Sequence, residues 1–353
     1  MEAEPVAMQT SDSTMELDRP VFIGGTGRSG TSVMAELLHS HPDFCLPGHE
    51  NKLIVERAGL KDLVQQLGGR YDLVRNHTVI HDFVNRALQL RRFGFRDRQL
   101  NEQMERIGKE RNLPFQQAFE IIQRDNPDAK GAMHAVGQYF GAIHYEACVT
   151  EFVNRLTAHV VSEGIVNSEG LLKPFFVARV FSRAEMLAEC RRLLERLYGG
   201  VVRNAGASRW IDDTPQNFLS IDFLHDLYPK MKFIHMVRDP RDVVSSFAQQ
   251  VWFPSDELLA VSACAAMIRS YRALKDNIPA DRLIEVRLED LVHRKDATLE
   301  RIAGFLDVDN RFDGGIVSPG GAHIGRGHKG FDPAVPAELR RELEDWMQLH
   351  GYA

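Results

Sequence analysis

Two short runs of residues have the types and spacing of phosphate-binding turns. The first is Val21-Phe22-Ile23-Gly24-Gly25-Thr26-Gly27-Arg28-Ser29-Gly30-Thr31-Ser32. An apolar stretch meets a glycine-rich turn, and apolar residues at helical spacing follow (Val33, Met34, Leu37, Leu38). Such a turn presents backbone N–H groups and a helix N-terminus to an anion. Gly25-x-x-x-x-Gly30 has the spacing of the template G-x-x-x-x-G-K-[ST], but Thr31 occupies the lysine position. That lysine reaches the β- and γ-phosphates of a nucleoside triphosphate, so its absence argues against a kinase-type phosphotransferase. The cation sits inside the turn instead, as Arg28. This arrangement suits a nucleotide with a single 5′-phosphate and a different anionic group to transfer.

The second run begins with Lys232-Phe233-Ile234-His235-Met236-Val237, which reads as a buried strand. It passes into Arg238-Asp239-Pro240-Arg241-Asp242 and a helix from Val243 onward. Asp239 suits the N-cap and Pro240 the first turn. Ser246 falls two turns along that helix, so a guanidinium from Arg238 and a hydroxyl can converge on one phosphate. Asp239 and Asp242 are assigned to the helix start and not to a ligand.

The elements that must position these runs are strands alternating with helices. After the first helix, Phe44 to Pro47 is extended and leads to Gly48-His49-Glu50-Asn51. From about 52 to 205 the apolar spacing is helical, with one helix ending at Gly199-Gly200. Strands at 232–237 and 283–288 follow, with helices over 251–274, 296–306 and 336–349. The expected fold is α/β, a three-layer parallel sheet with a P-loop-like turn and a large helical insertion at about 56–205. The expected organisation is a single domain over 20–353 preceded by a disordered arm at 1–19. A ligand should sit at the carboxyl ends of the strands.

The 353 residues include 44% hydrophobic types, enough for a sizeable core. A net charge of −6 argues against general nucleic-acid binding. Cys45, Cys148, Cys190 and Cys264 are scattered and show no metal-ligand spacing, which suits buried thiols in a reducing compartment. No stretch is apolar enough to span a membrane and residues 1–19 lack a signal-peptide core, so the expectation is a soluble cytoplasmic protein. Oligomeric state is not readable from the sequence.

Together the two runs resemble the sulfotransferase family. Gly25 to Ser32 is similar to its 5′-phosphosulfate loop, G-x-P-R-S-G-T-[ST], with Gly27 for proline. Arg238 to Ser246 is similar to its 3′-phosphate motif, R-[ND]-P-x-[DE]-x-x-x-S. Ile284 to Leu291 resembles a late strand and Y-E-D-L turn, with Leu288 for tyrosine, and Gly325 to Gly330 resembles a basic glycine loop that closes over the nucleotide. The resemblance covers roughly 20–55 and 205–350.

It implies 3′-phosphoadenosine 5′-phosphosulfate (PAPS) as co-substrate, no metal, and a small-molecule or peptide hydroxyl as acceptor. Arg28 would meet the 5′-phosphate and the transferring sulfate. Gly27, Ser29, Gly30, Thr31 and Ser32 would hold the 5′-phosphate. Arg238 and Ser246 would hold the 3′-phosphate, with Arg326 and Lys329 closing on it. Gly48-His49-Glu50 is similar to a G-[EH]-E run that carries the general base in some members; Glu50 is favoured, with His49 as the competitor. Two residues depart from the family pattern. Asp213 stands where many members carry a lysine that meets the bridging oxygen, so either Asp213 points away, or another cation such as Lys52 or Arg326 takes over, or the activity is altered. At Leu288 an aliphatic face would pack against adenine in place of the tyrosine.

Overall fold

Val21 and Ile23 point into one buried cluster and Phe22 into another, so the first strand has a core on each face. That is the signature of a sheet sandwiched between helical layers. The computed structural model describes residues 15–48, 50–91, 103, 106–111, 113, 118, 121–122, 124–125, 140–166, 172–250, 253, 256–318, 324–325, 327 and 330–352.

In chain order the described elements are β1 (Val21–Gly25), α1 (Thr31–His39), β2 (Phe44–Cys45), α2 (Leu60–Leu67), α3 (Leu73–Arg91), α4 (Ala142–Leu156), β3 (Thr157–Val166) and β4 (Leu172–Ala178). They continue with α5 (Arg183–Ala205), β5 (Arg209–Asp212), a 3₁₀ turn (Pro215–Ser220), α6 (Ile221–Leu227), β6 (Lys232–Val237), α7 (Pro240–Phe247) and α8 (Glu257–Lys275). The chain closes with β7 (Leu283–Arg287), α9 (Leu288–His293), α10 (Lys295–Leu306), a second 3₁₀ turn (Gly314–Ile316) and α11 (Ala337–Leu349).

Five strands form a parallel sheet in the order β2-β5-β1-β6-β7. The pairing of β1 with β6 runs from Val21 opposite Lys232 to Gly25 opposite Met236. Because all strands are parallel, the residues after β1, β2, β5, β6 and β7 emerge at one edge. Every candidate residue of the two runs lies there. Gly24 is required by close packing: a Cβ would come within 2.6 Å of the Phe218 backbone nitrogen in the 3₁₀ turn.

Three expectations need correction. The insertion is not purely helical, since β3 and β4 form an antiparallel ribbon. Its signal was available, as Val160, Val161, Ile165 and Val166 precede the turn-type run Asn167-Ser168-Glu169-Gly170. The helix expected to stop at Gly199-Gly200 is α5, and it continues to Ala205 and ends on Gly206 at φ 66°. Gly199 serves packing instead, because a Cβ there would come within 3.2 Å of Leu17. Finally, residues 15–19 of the expected arm are ordered against the sheet. Glu16 N–H donates to Ser208 O, Trp210 Nε1 donates to Leu17 O, and Arg19 pairs with Asp307. Residues 1–14 lie outside the described residues.

All four cysteines are buried free thiols. No helix among the described residues is long and apolar enough to cross a membrane.

Candidate functional site

The turn after β1 is built from left-handed backbone. Gly27, Arg28 and Gly30 have φ of 77°, 56° and 93°. For Arg28 that conformation costs about 1–2 kcal/mol, which the surrounding packing must offset. Gly30 immediately precedes α1 and offers no side-chain cap, so the first amides of α1 face the turn. Leu288 presses on the same glycine, where a Cβ would come within 2.8 Å of its Cδ1. Ser29 is fully buried, and its Oγ has no hydrogen-bond partner among the described residues. A buried hydroxyl of this kind inside a turn of N–H groups is suited to an oxyanion.

The turn after β6 comes to the same place. Arg28 Nε donates to Ser246 Oγ at 3.0 Å, and Arg238 Nη1 donates to the Arg28 carbonyl at 2.7 Å. The two runs therefore touch, although they are far apart in sequence. Arg238 is almost fully buried, with Asp242 Oδ2 at 3.5 Å. Burial, and then the charge of Arg238, lower the Arg28 pKa. Two guanidinium groups confined beside an uncapped helix start make a local positive field in a chain of net negative charge.

Asp239 behaves as its position suggests. Its Oδ1 accepts from Arg241 N–H at 2.9 Å, and both its oxygens take the Arg241 side chain. Asp242 does more than start the helix. Its two oxygens accept from Gly325 N–H and Gly327 N–H, each at 2.7 Å. Gly327 lies hard on α7, where a Cβ would come within 2.3 Å of the Arg241 carbonyl carbon. The C-terminal glycine loop is thereby tied to the second run. Arg326 and Lys329 lie outside the described residues.

Glu50 lies beyond β2 in a tight turn, with Gly48 at φ 105° and Glu50 itself at φ 53°. Its backbone N–H donates to Asp213 Oδ1 at 2.6 Å. Its carboxylate Oε2 is 3.3 Å from Lys52 Nζ, which also lies 3.5 Å from Glu56 Oε1, and Arg86 of α3 holds Glu56 at 2.7 Å. Asn51 is pinned separately by a hydrogen bond to the Tyr198 hydroxyl. His49 lies outside the described residues.

A family model described as "Sulfotransferase family" matches residues 20–130 and 177–313, well over half of the chain. The chain belongs to the sulfotransferase family. It is similar to the nodulation protein NoeE of Sinorhizobium fredii, 27% identical over 148 residues, a match spanning 36% of this chain and 35% of that protein. The sulfotransferase domain of the Synechococcus PCC 7002 olefin synthase shares 18% identity, with 98% of this chain and 99% of that one covered at a TM-score of 0.47. The sulfotransferase domain of the curacin biosynthetic pathway shares 13% identity, with 95% and 98% covered at a TM-score of 0.46.

Leu288, where the sulfotransferase pattern has a tyrosine, is buried in one cluster with Met34 and Met236 and packs against Gly30 of the phosphate-type turn. The next residue, Glu289, was not singled out by sequence. It accepts from Asp239 N–H at 3.1 Å and from the Tyr352 hydroxyl at 2.7 Å, which braces the turn after β6. An open charged groove of about 930 Å³ lies on the insertion, lined by residues such as Glu151, Arg155, Arg179 and Glu189. It shares no lining residue with the site, and Arg155 and Glu189 already pair across it.

Beneath the site, Asp212 is fully buried and accepts from Thr214 N–H and Asn217 Nδ2 through Oδ1. Burial outweighs those hydrogen bonds and pushes its pKa up to about 7. A carboxyl whose folded pKa is raised binds more protons when folded, so stability falls as pH rises from the unfolded value through about 7. Asp212→Asn keeps the Oδ1 acceptor and has nothing to ionise. Its thermal midpoint relative to the parent should therefore climb between pH 4.5 and pH 8, by on the order of 2–4 kcal/mol in stability. Parallel melting curves across that range would show that Asp212 is not protonated in the fold.

Proposed function

We propose that this chain transfers a sulfuryl group from PAPS to the hydroxyl of a small molecule or natural product. The observation that carries the reading is the meeting of Arg28 and Arg238 at the edge beside β1, with Ser246 bridging the two runs. Two separate phosphate-type turns brought together suit a nucleotide with phosphates at both ends. A triphosphate would instead call for the lysine that Thr31 replaces.

In this reading the N–H groups of residues 29–32 and the Ser29 hydroxyl take the 5′-phosphate, and Arg238 takes the 3′-phosphate. The Arg28–Ser246 hydrogen bond gives way as the donor enters, freeing Arg28 for the 5′-phosphosulfate and Ser246 for the 3′ end. Glu50 accepts the proton of the acceptor hydroxyl. The hydroxyl oxygen forms a bond to sulfur while the bond from sulfur to the 5′-phosphate oxygen breaks. Negative charge builds on that leaving oxygen, where Arg28 and the turn amides are aimed. A cytoplasmic setting suits the four unpaired buried thiols.

The assay is release of adenosine 3′,5′-bisphosphate from PAPS in the presence of a panel of phenols, alcohols, sugars and tyrosyl peptides. Acceptor-dependent release supports the reading. Tight nucleotide binding with no product for any acceptor, and no slow hydrolysis, would favour a catalytically impaired homologue. Gly327→Ala offers a further check, because its Cβ has no room against the Arg241 backbone. If the glycine loop closes on the nucleotide, affinity for adenosine 3′,5′-bisphosphate should drop about 10-fold, the scale of one lost charge-assisted contact. Unchanged affinity in calorimetry would detach that loop from the nucleotide.

A further inference from the structure

We propose that Asp213 is a positioning residue that sets Glu50 for proton transfer; this rests on Glu50 being the base in the reading above. The pattern would place a lysine at position 213, and a carboxylate beside a leaving sulfate is unfavourable. The structure turns that carboxylate elsewhere. Asp213 is fully buried, and its Oδ1 takes the Glu50 backbone N–H at 2.6 Å. A short bond from an amide to a buried carboxylate is a charge-assisted one and among the stronger kinds.

Glu50 needs such a hold. Its φ of 53° is one that non-glycine residues rarely adopt, so the turn does not keep this shape unaided. Asp213 fixes its main chain, and Lys52, 3.3 Å from Oε2, fixes the far end of its side chain. Asp213 and Glu50 follow the neighbouring strands β5 and β2, so the bond joins two turns at the carboxyl edge. A lysine at 213 has no acceptor and would leave the Glu50 N–H unmet. In this chain position 213 therefore orients the base and does not supply the leaving-group cation.

The experiment measures kcat and KM for Asp213→Ala, Asp213→Asn and Asp213→Lys, each alone and combined with Glu50→Gln. Asp213→Ala should lower kcat by about 10–100-fold, the cost of a slightly misplaced catalytic group, with donor KM changed by less than about 3-fold. Asp213→Asn keeps an oxygen acceptor and should recover most of that loss. In the Glu50→Gln background Asp213→Ala should remove little more, because both changes act through one group. The same fold-loss in both backgrounds, or Asp213→Lys as active as the parent, would overturn the proposal. If Asp213→Ala does not fold, the Asn variant carries the test: kcat within about 3-fold of the parent supports an acceptor that positions Glu50, and a loss of about 10-fold or more that persists in the Glu50→Gln background refutes it. Glu50→Gln with parental turnover would instead remove Glu50 as the base, and the proposal with it.

Discussion

Replacing Arg28 with alanine is expected to cut turnover by about 10²-fold or more, the usual loss when a preorganised charge at the developing anion is removed. Arg28 sits in a left-handed turn between the buried Ser29 and the Arg238 guanidinium, with its Nε on Ser246. Its backbone carbonyl, not its side chain, receives Arg238, so the alanine variant loses the hydrogen bond to Ser246 but keeps the Arg238 contact between the two turns. The loss should therefore fall mainly on kcat, with a smaller change in affinity for adenosine 3′,5′-bisphosphate. Arg28→Lys should recover only part of the rate, because a single ammonium cannot reproduce the planar fork. Parental turnover in Arg28→Ala would take Arg28 out of the transition state.

Glu50→Gln is expected to lower kcat by about 10²–10⁴-fold, the range for a general base. The substitution is nearly isosteric and leaves the backbone N–H on Asp213 untouched, so the turn keeps its shape. What it removes is the acceptor of the hydroxyl proton and the anionic partner of Lys52. Donor affinity should change little, since the phosphate-type turns follow other strands. Acceptors with more acidic hydroxyls should suffer less, because they need less help in losing the proton. A uniform loss across acceptors of different acidity would point to a structural effect, and no loss would move the base assignment away from Glu50.

The parts of the fold that were legible were those whose sequence signal is local. β1 is an apolar run and β6 a mostly apolar one because both of their faces are covered, and Asp239-Pro240 marks the start of α7 in its own few residues. The β3–β4 ribbon carried its own β-branched signal, but the helix-spaced residues on either side outweighed it, and Gly199 misled because a glycine used for packing looks like one used for a cap. In the site, the two turns could be named but not their contact. Arg28 meets Ser246 only because β1 and β6 are adjacent, and no spacing rule spans 218 positions. The same holds for Asp213, whose charge looked like a defect until the neighbouring β2 turn supplied its donor. Asp242 was read as a helix-start residue and Glu289 was passed over, because the amides they hold come from distant loops.

The most direct measurement is calorimetric titration of the purified chain with adenosine 3′,5′-bisphosphate, adenosine 5′-monophosphate and magnesium ATP, repeated with Arg238→Ala and Ser246→Ala. The bisphosphate should bind most tightly, and both variants should weaken it more than they weaken the monophosphate, with Ser246→Ala leaving the monophosphate nearly unaffected and Arg238→Ala costing it some affinity because its guanidinium also braces the Arg28 carbonyl. Preference for magnesium ATP, or bisphosphate binding indifferent to both variants, would contradict a site built for a nucleotide phosphorylated at each end.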